Sequence, residues 1–254
     1  MKEILTQLPA RTNKPRENGL TMMMDKGLSL RQAEDFLSSS HEHTDIIKLG
    51  FGTSIITPNI TDKIKLYQDH GMLVYAGGTL FEAFAIRNQL NDYKKYMNNS
   101  GLEMIEISDG SMHLNHDRKC ELIADFAKDF RVISEVGSKD PSVEISSENW
   151  LRWIKDELKA GSWKVIAEAR EGGNTGICDD NGGIKSELIN NIINQISNND
   201  ILWEAPQKKQ QVWFINKFGA NVNLGNISPD EVISLESLRL GIRGDTFHCF
   251  INKK

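Results

Sequence analysis

The chain has 254 residues, 39% of them hydrophobic, enough to bury a sizeable core in one large α/β domain, and no break in composition marks a second. Thirty basic residues against thirty-five acidic ones give a net charge of -5, which excludes the broad basic surface of a protein that grips nucleic acid. Three scattered cysteines (Cys120, Cys178 and Cys249) fit neither a disulfide framework nor a structural zinc site, and no stretch approaches the roughly 18 apolar residues of a membrane helix, so a cytoplasmic protein without membrane contact is expected.

Residues 1–18 read as an N-terminal extension. The first β-rich run, "LTMMMDKG" (20–27), is followed by the helical-period stretch "SLRQAEDFLSSS" and then by "DIIKLGFG" (45–52) and "MLVYAGGT" (72–79). A long helical pattern, "TLFEAFAIRNQLNDYKKYM", leads to "LEMIEISDG" (102–110), and "NHDRKCELIADFAKDF" leads to "FRVISEVG" (130–137). After the helical "SSENWLRWIKDELKAG" come "WKVIAEAR" (163–170), "ILWEAP" (201–206) and "ANVNLGNI" (220–227). Gly71, Gly101, Gly161 and Gly219 each precede a strand, where a helix would end in a left-handed residue. In "SPDEV", Ser228 is expected as an N-cap with Pro229 at the first helical position. Eight strand-helix units in this length predict a single-domain (β/α)8 barrel over 1–254, with a doubly wound open sheet as the alternative.

Side chains along a barrel strand alternate between the outer helices and the interior, so apolar positions identify the outward set. In "LEMIEIS", Ile105 and Ile107 then face outward and Glu106 inward; in "DIIKLGF", Ile47, Leu49 and Phe51 face outward and Lys48 inward. The same rule places Asp25, Glu135, Glu168, Glu204 and Asn223 inward, toward the C-terminal strand ends where such barrels carry active sites. Lys139 and Asp140 would stand on the loop above Glu135. Five inward acids (Asp25, Glu106, Glu135, Glu168, Glu204) outnumber the bases Lys48 and Arg170, a costly excess unless a cation joins them. Oxygen-only ligands suit Mg2+ better than zinc. For any one of these residues, a structural ion-pair network is the alternative.

"AREGGNTGICDDNGGI" (169–184) is a Gly-rich loop able to turn backbone N–H groups toward an anion or to close as a lid, although an ordinary flexible loop is the plainer reading. "LRLGIRGDTF" (238–247) sets Arg239 and Arg243 near the chain end, for a phosphate or for surface pairing. His41, His43, His113 and His116 are read as solvated.

The blocks "GLTMMMDKGLS", "DIIKLGFGTS", "VYAGGTLFE", "EISDGS", "VISEVGSKD", "VIAEAREGG", "LWEAPQKKQQVWFINKFGANVNLGNI" and "ESLRLGIRGDTF" resemble, in the same order, those of the phosphosulfolactate synthase family, from about residue 15 to 248. The resemblance implies a (β/α)8 barrel and a Mg2+-dependent lyase that adds sulfite to phosphoenolpyruvate, giving 2-phospho-3-sulfolactate. Sulfite would add to the methylene carbon, charge would pass through C2 into the carboxylate as an enolate-like intermediate, and a general acid would protonate C2. Plant relatives are heat-stress-associated proteins, so a stress-associated role without synthase activity is an alternative.

On this reading Glu106, Glu135 and Glu168 are expected to hold the metal or its waters, because they end three consecutive strands, with Asp25 and Glu204 in reserve. Lys139 is expected to donate the proton, its pKa lowered toward neutrality by the nearby metal. Lys48, counted with Lys139 as catalytic, and Arg170 are expected to meet the anionic carboxylate, phosphate or sulfite, with Gly172, Gly173 and Asn223 binding substrate. A Schiff-base lyase using Lys48 or Lys139 is the competing chemistry. The product would enter coenzyme M biosynthesis or another sulfonate route, and apolar residues on the outer helices leave room for a homo-oligomer.

Overall fold

The computed structural model describes residues 4–140 and 143–251. Within them all eight β-rich runs contain strands: β1 (Thr21–Asp25), β2 (Ile46–Leu49), β3 (Leu73–Ala76), β4 (Met104–Ile107), β5 (Arg131–Val136), β6 (Lys164–Ala167), β7 (Ile201–Glu204) and β8 (Leu224–Ile227). Every ladder is parallel, and the order β3-β2-β1-β8-β7-β6-β5-β4 joins the first strand to the last. β3 and β4 lie side by side without a ladder, so the sheet is a nearly closed (β/α)8 barrel. The open doubly wound alternative is thereby set aside, since it leaves its end strands apart.

The connections carry α1 (Leu30–Ser40), α2 (Ile60–Asp69), α3 (Gly78–Ala85), α4 (Leu90–Asn99), α5 (His116–Phe126), α6 (Ser147–Ala160), α7 (Ser186–Ile193), α8 (Lys208–Phe218) and α9 (Val232–Arg239). Short polar side chains start several of them: Ser29 and Gln32 form a capping box on α1, Asn115 accepts the amides of Asp117 and Arg118, and Ser146 accepts that of Asn149. Gly71, Gly101, Gly161 and Gly219 all have positive φ, from 70° to 119°. Two local expectations are corrected. The stretch read as one helix over 79–97 is two, broken where Asn88 turns to φ 57°, a conformation an asparagine tolerates. Ser228 does not cap through its side chain: its hydroxyl donates to the Asp230 carboxylate, and a 3-10 turn (Pro229–Glu231) precedes α9.

The strands separate two cores. Outward side chains such as Met23, Ile47, Val74, Ile105, Val132 and Val165 pack against the helical ring, while Leu20, Met22, Ile46, Tyr75, Met104, Ile133, Ile166 and Leu202 fill the barrel. Each fully buried aliphatic or aromatic side chain of this kind contributes roughly 1.5–3 kcal/mol by leaving water. Gly225 belongs to the inner layer because a Cβ there would come within 2.7 Å of Met22 and 2.9 Å of Leu202.

Three placements are overturned, the first by this parity and the other two by position along the barrel. Asp25 shares the outer face with Met23, where it pairs with Lys63 of α2 at 2.8 Å and accepts the Tyr67 hydroxyl at 3.1 Å; Met24 takes the inward position. Asn223 lies at the N-terminal end of β8, where its side chain bonds Leu20 N, Asn199 O and Ile201 O. Arg239 reaches neither a phosphate nor the surface: it is fully buried and donates to the carbonyls of Leu20, Ala220 and Val222. The segment before β1 crosses the same end of the barrel, tied by Arg11 to Glu236, Arg16 to Asp45 and Lys14 to the carbonyls of His41 and Thr44. His116 is also not a solvated residue, since it stacks on Trp153 and faces Asp156 at 3.5 Å. No helix among the described residues is long and apolar enough to cross a membrane.

Candidate active site

Above the apolar layers of the barrel the next inward side chains are charged. Lys48 comes from β2, Glu106 from β4, Glu135 from β5, Glu168 from just past β6 and Glu204 from the end of β7, each at most 7% exposed. Lys48 Nζ lies 3.0 Å from Glu106, 3.4 Å from Glu204 and 3.5 Å from Glu135. Burial works against its charge, but Glu106, Tyr75, Glu204 and Glu135 together raise its pKa well above the ordinary lysine value. Lys139 enters from the loop after β5, 3.3 Å from Glu135 and 3.5 Å from Glu82. Burial opposes its charge too, and Glu135, Glu168, Glu82 and Glu106 outweigh it, so the carboxylates push its pKa up, the reverse of the lowering expected from the sequence, and hold it as an ammonium.

The acids differ among themselves. Burial pushes Glu106 up to about 7 against the pull of Lys48. Glu168 is raised well above the usual carboxyl range by burial and then by Glu135 and Glu204. Burial would raise Glu135 as well, but Lys139 and Lys48 hold it below its ordinary value. Backbone amides fix their orientation: Gly78 N donates to Glu106 at 2.7 Å, Ala169 N to Glu204 at 2.9 Å, and Arg170 N to Glu168. Gly137, at φ 141°, leaves room for Glu168, whose Cβ would stand 2.3 Å from any Cβ placed there.

These residues fit a divalent cation. Oxygen atoms of Glu135, Glu168 and Glu204 lie within 4.8 Å of one another, and buried Glu168 Oε2 finds no hydrogen-bond donor among the described residues. If all ionise, five carboxylates (Glu82, Glu106, Glu135, Glu168, Glu204) against two ammoniums (Lys48, Lys139) leave a charge of -3. The trio is not the one expected from the sequence. Glu106, bonded to Gly78 N and paired with Lys48, stands outside that group, while Glu204, expected only in reserve, joins Glu135 and Glu168 although its own oxygens also meet Ala169 N and Lys48.

A cavity of about 390 Å³ opens over the cluster, in the range of small-ligand pockets. Thr79, Arg170, Gly172, Asn174 and Asn226 wall it. The exposed guanidinium of Arg170 makes no ion pair among the described residues. Gly173 stands behind this wall with its carbonyl bonded to Gln210 Nε2 at 2.8 Å. Two members of the site were not anticipated. Asn226, at φ 57°, occupies the mouth position that had been expected of Asn223, because its left-handed turn ends the strict alternation of β8. Glu82 is a buried carboxylate from α3, and its signal was a lone acid inside the apolar run "TLFEAFAI".

Residues 9–245 match the family described as (2R)-phospho-3-sulfolactate synthase (ComA). The chain belongs to that family. It is 42% identical over 250 residues to a phosphosulfolactate synthase of Bacillus subtilis (strain 168), covering 97% of this chain and 99% of that one. A phosphosulfolactate synthase of Methanothermobacter thermautotrophicus is 40% identical, with 94% and 95% covered. The Arabidopsis thaliana protein HEAT-STRESS-ASSOCIATED 32 is 22% identical, over 90% of this chain and 88% of its own. Nearly the whole barrel of this synthase-family chain is thus shared with two synthases at about twice the identity of the plant protein.

Proposed function

We propose that this chain is a phosphosulfolactate synthase that joins sulfite to phosphoenolpyruvate with Mg2+ as cofactor. The observation that carries the reading is a half-buried ammonium, Lys139, set beside a buried carboxylate excess at the mouth of a barrel of the synthase family. Glu135, Glu168 and Glu204 would hold Mg2+, which when bound offsets their repulsion and stabilises negative charge on a substrate carboxylate. Arg170 binds an anionic group of the substrate at the cavity wall, and Lys48 keeps Glu106, Glu135 and Glu204 in place from below. Sulfur forms a bond to C3 of phosphoenolpyruvate, the double-bond pair moves through C2 toward the carboxylate, and Lys139 delivers a proton to C2. The phosphate stays attached, so no leaving group is required.

A Schiff-base mechanism has less support, because its nucleophile must be a neutral amine and each lysine stands within 3.5 Å of at least two carboxylates. The test is incubation of the purified protein with phosphoenolpyruvate and sulfite, with Mg2+ or with a chelator, followed by mass spectrometry. Metal-dependent 2-phospho-3-sulfolactate is expected. Folded protein that yields none of it overturns the proposal.

A further inference from the structure

Lys139 stands beyond the end of β5, and its position depends on what its side chain touches. Its amide donates to Gly110 O at 3.1 Å, and its stem lies across Gly110, where a Cβ would come within 3.1–3.3 Å of Lys139 Cγ, Cδ and Cε. The ammonium lies between Glu135 and Glu82. Glu82 is 4% exposed and comes from a different strand-helix unit, on α3. Its Oε1 accepts the Ser108 hydroxyl and its Oε2 accepts the Ser111 amide at 2.8 Å. Those two donors flank Gly110, so one carboxylate grips both the ammonium and the loop that carries the lysine stem.

We propose that Glu82, acting with the bare surface of Gly110, is the positioning residue that aims Lys139 at the carboxylate cluster. The inference rests on the reading of Lys139 as proton donor. Glu135 cannot supply the aim alone, because it is shared with Lys48 and with the candidate metal group, whereas Glu82 is bonded on both oxygens to the loop after β4. Geometry of this kind matters because a displacement of about 1 Å at a reacting group costs roughly a hundredfold in rate.

Glu82→Gln keeps the size of the side chain and an acceptor for Ser111 N while removing the charge that faces Lys139. The expected result is a kcat loss of about tenfold to a hundredfold, with KM for phosphoenolpyruvate and sulfite within about twofold and the melting temperature kept. In a Lys139→Arg background the same substitution is expected to change kcat by less than about twofold, because its effect runs through Lys139. Gly110→Ala, which pushes on the stem without touching Glu82, is expected to give the same kcat-only loss. Equal losses from Glu82→Gln in both backgrounds, or a rise in KM with kcat kept, overturn the proposal. Where turnover is too low to measure, a crystal structure of Glu82→Gln decides. Lys139 Nζ is expected to leave its place beside Glu135, and an unmoved ammonium overturns the positioning role. Absence of product from the wild-type protein alone counts against the synthase reading and leaves this arm intact.

Discussion

Replacing Lys48 by methionine asks whether the charged layer is held by its own ion pairs. The side chain is 7% exposed and its ammonium lies within 3.5 Å of three carboxylates. Methionine fills most of the space of the stem, so the change acts on charge more than on packing. The cluster goes from five carboxylates and two ammoniums, -3, to five and one, -4. Removing one partner of a buried pair costs about 3–5 kcal/mol, which for a chain of this length lowers Tm by about 6–20 °C. The pH dependence has a definite sign. The folded pKa of Glu106, about 7, lies above its reference of 4.5, so its contribution is full below 4.5 and is lost as pH rises through 7. Lys48 pulls that pKa down, so its removal widens the shift and deepens the deficit at alkaline pH. Thermal unfolding followed by circular dichroism at about pH 8 and pH 5.5, with chelator present, measures both effects. A Tm loss below about 2 °C at pH 8, or a deficit that grows on acidification, would refute the reasoning.

Three further substitutions probe the site. Lys139→Ala is expected to cut product formation by about 10²–10⁴-fold while the circular dichroism spectrum is kept, and near-normal turnover removes Lys139 from the proton-donor role. Gly137→Ala must place a Cβ 2.3 Å from Glu168 Cβ with the backbone at φ 141°, so a loss of about 1–3 kcal/mol in denaturant unfolding is expected, and an unchanged midpoint refutes the contact. Glu168→Gln is expected to weaken Mg2+ binding in isothermal calorimetry, and unaltered affinity takes Glu168 out of the candidate metal group.

The barrel was legible because its strands are short apolar runs spaced by helical-period segments, and because glycine marks four of the helix-strand junctions. Facing was legible where apolar and polar residues alternate, as in "LEMIEIS" and "DIIKLGF", which put Glu106 and Lys48 correctly inside, but not at Phe51, expected outward and found half exposed at the cavity mouth where φ 56° ends the alternation. It failed in β1, where Met22, Met23 and Met24 are equally apolar and give the pattern no phase, so Asp25 was assigned to the wrong face. It failed differently for Asn223, whose inward face was right but whose height along the barrel depends on where β8 begins. Glu82 was hidden for a third reason: it stands on a helix, and its contacts with the loops after β4 and β5 are recorded by no periodicity in one chain.

The charge asymmetry of the barrel ties these observations together. Its lower interior is filled by residues such as Met22, Ile46, Met104 and Leu202, which need no partners, while every ionised group of the upper layer must find one from another strand. Lys48 therefore links β2 to β4, β5 and β7, and Lys139 links β5 to α3. β3 and β4 lack a ladder, and among the described residues side-chain links cross that seam: Glu106 to Lys48, over the bare position of Gly77, and to Gly78 N, and Glu82 to Ser108 and Ser111. Residues of the candidate site thus also bridge the gap in the sheet's hydrogen bonding. A change at Glu106 is accordingly expected to loosen the barrel at β3 and β4 first, visible as faster amide exchange at Val74 and Tyr75 than at Ile166 and Leu202; uniform exchange across the four positions would show that the seam is held by packing alone.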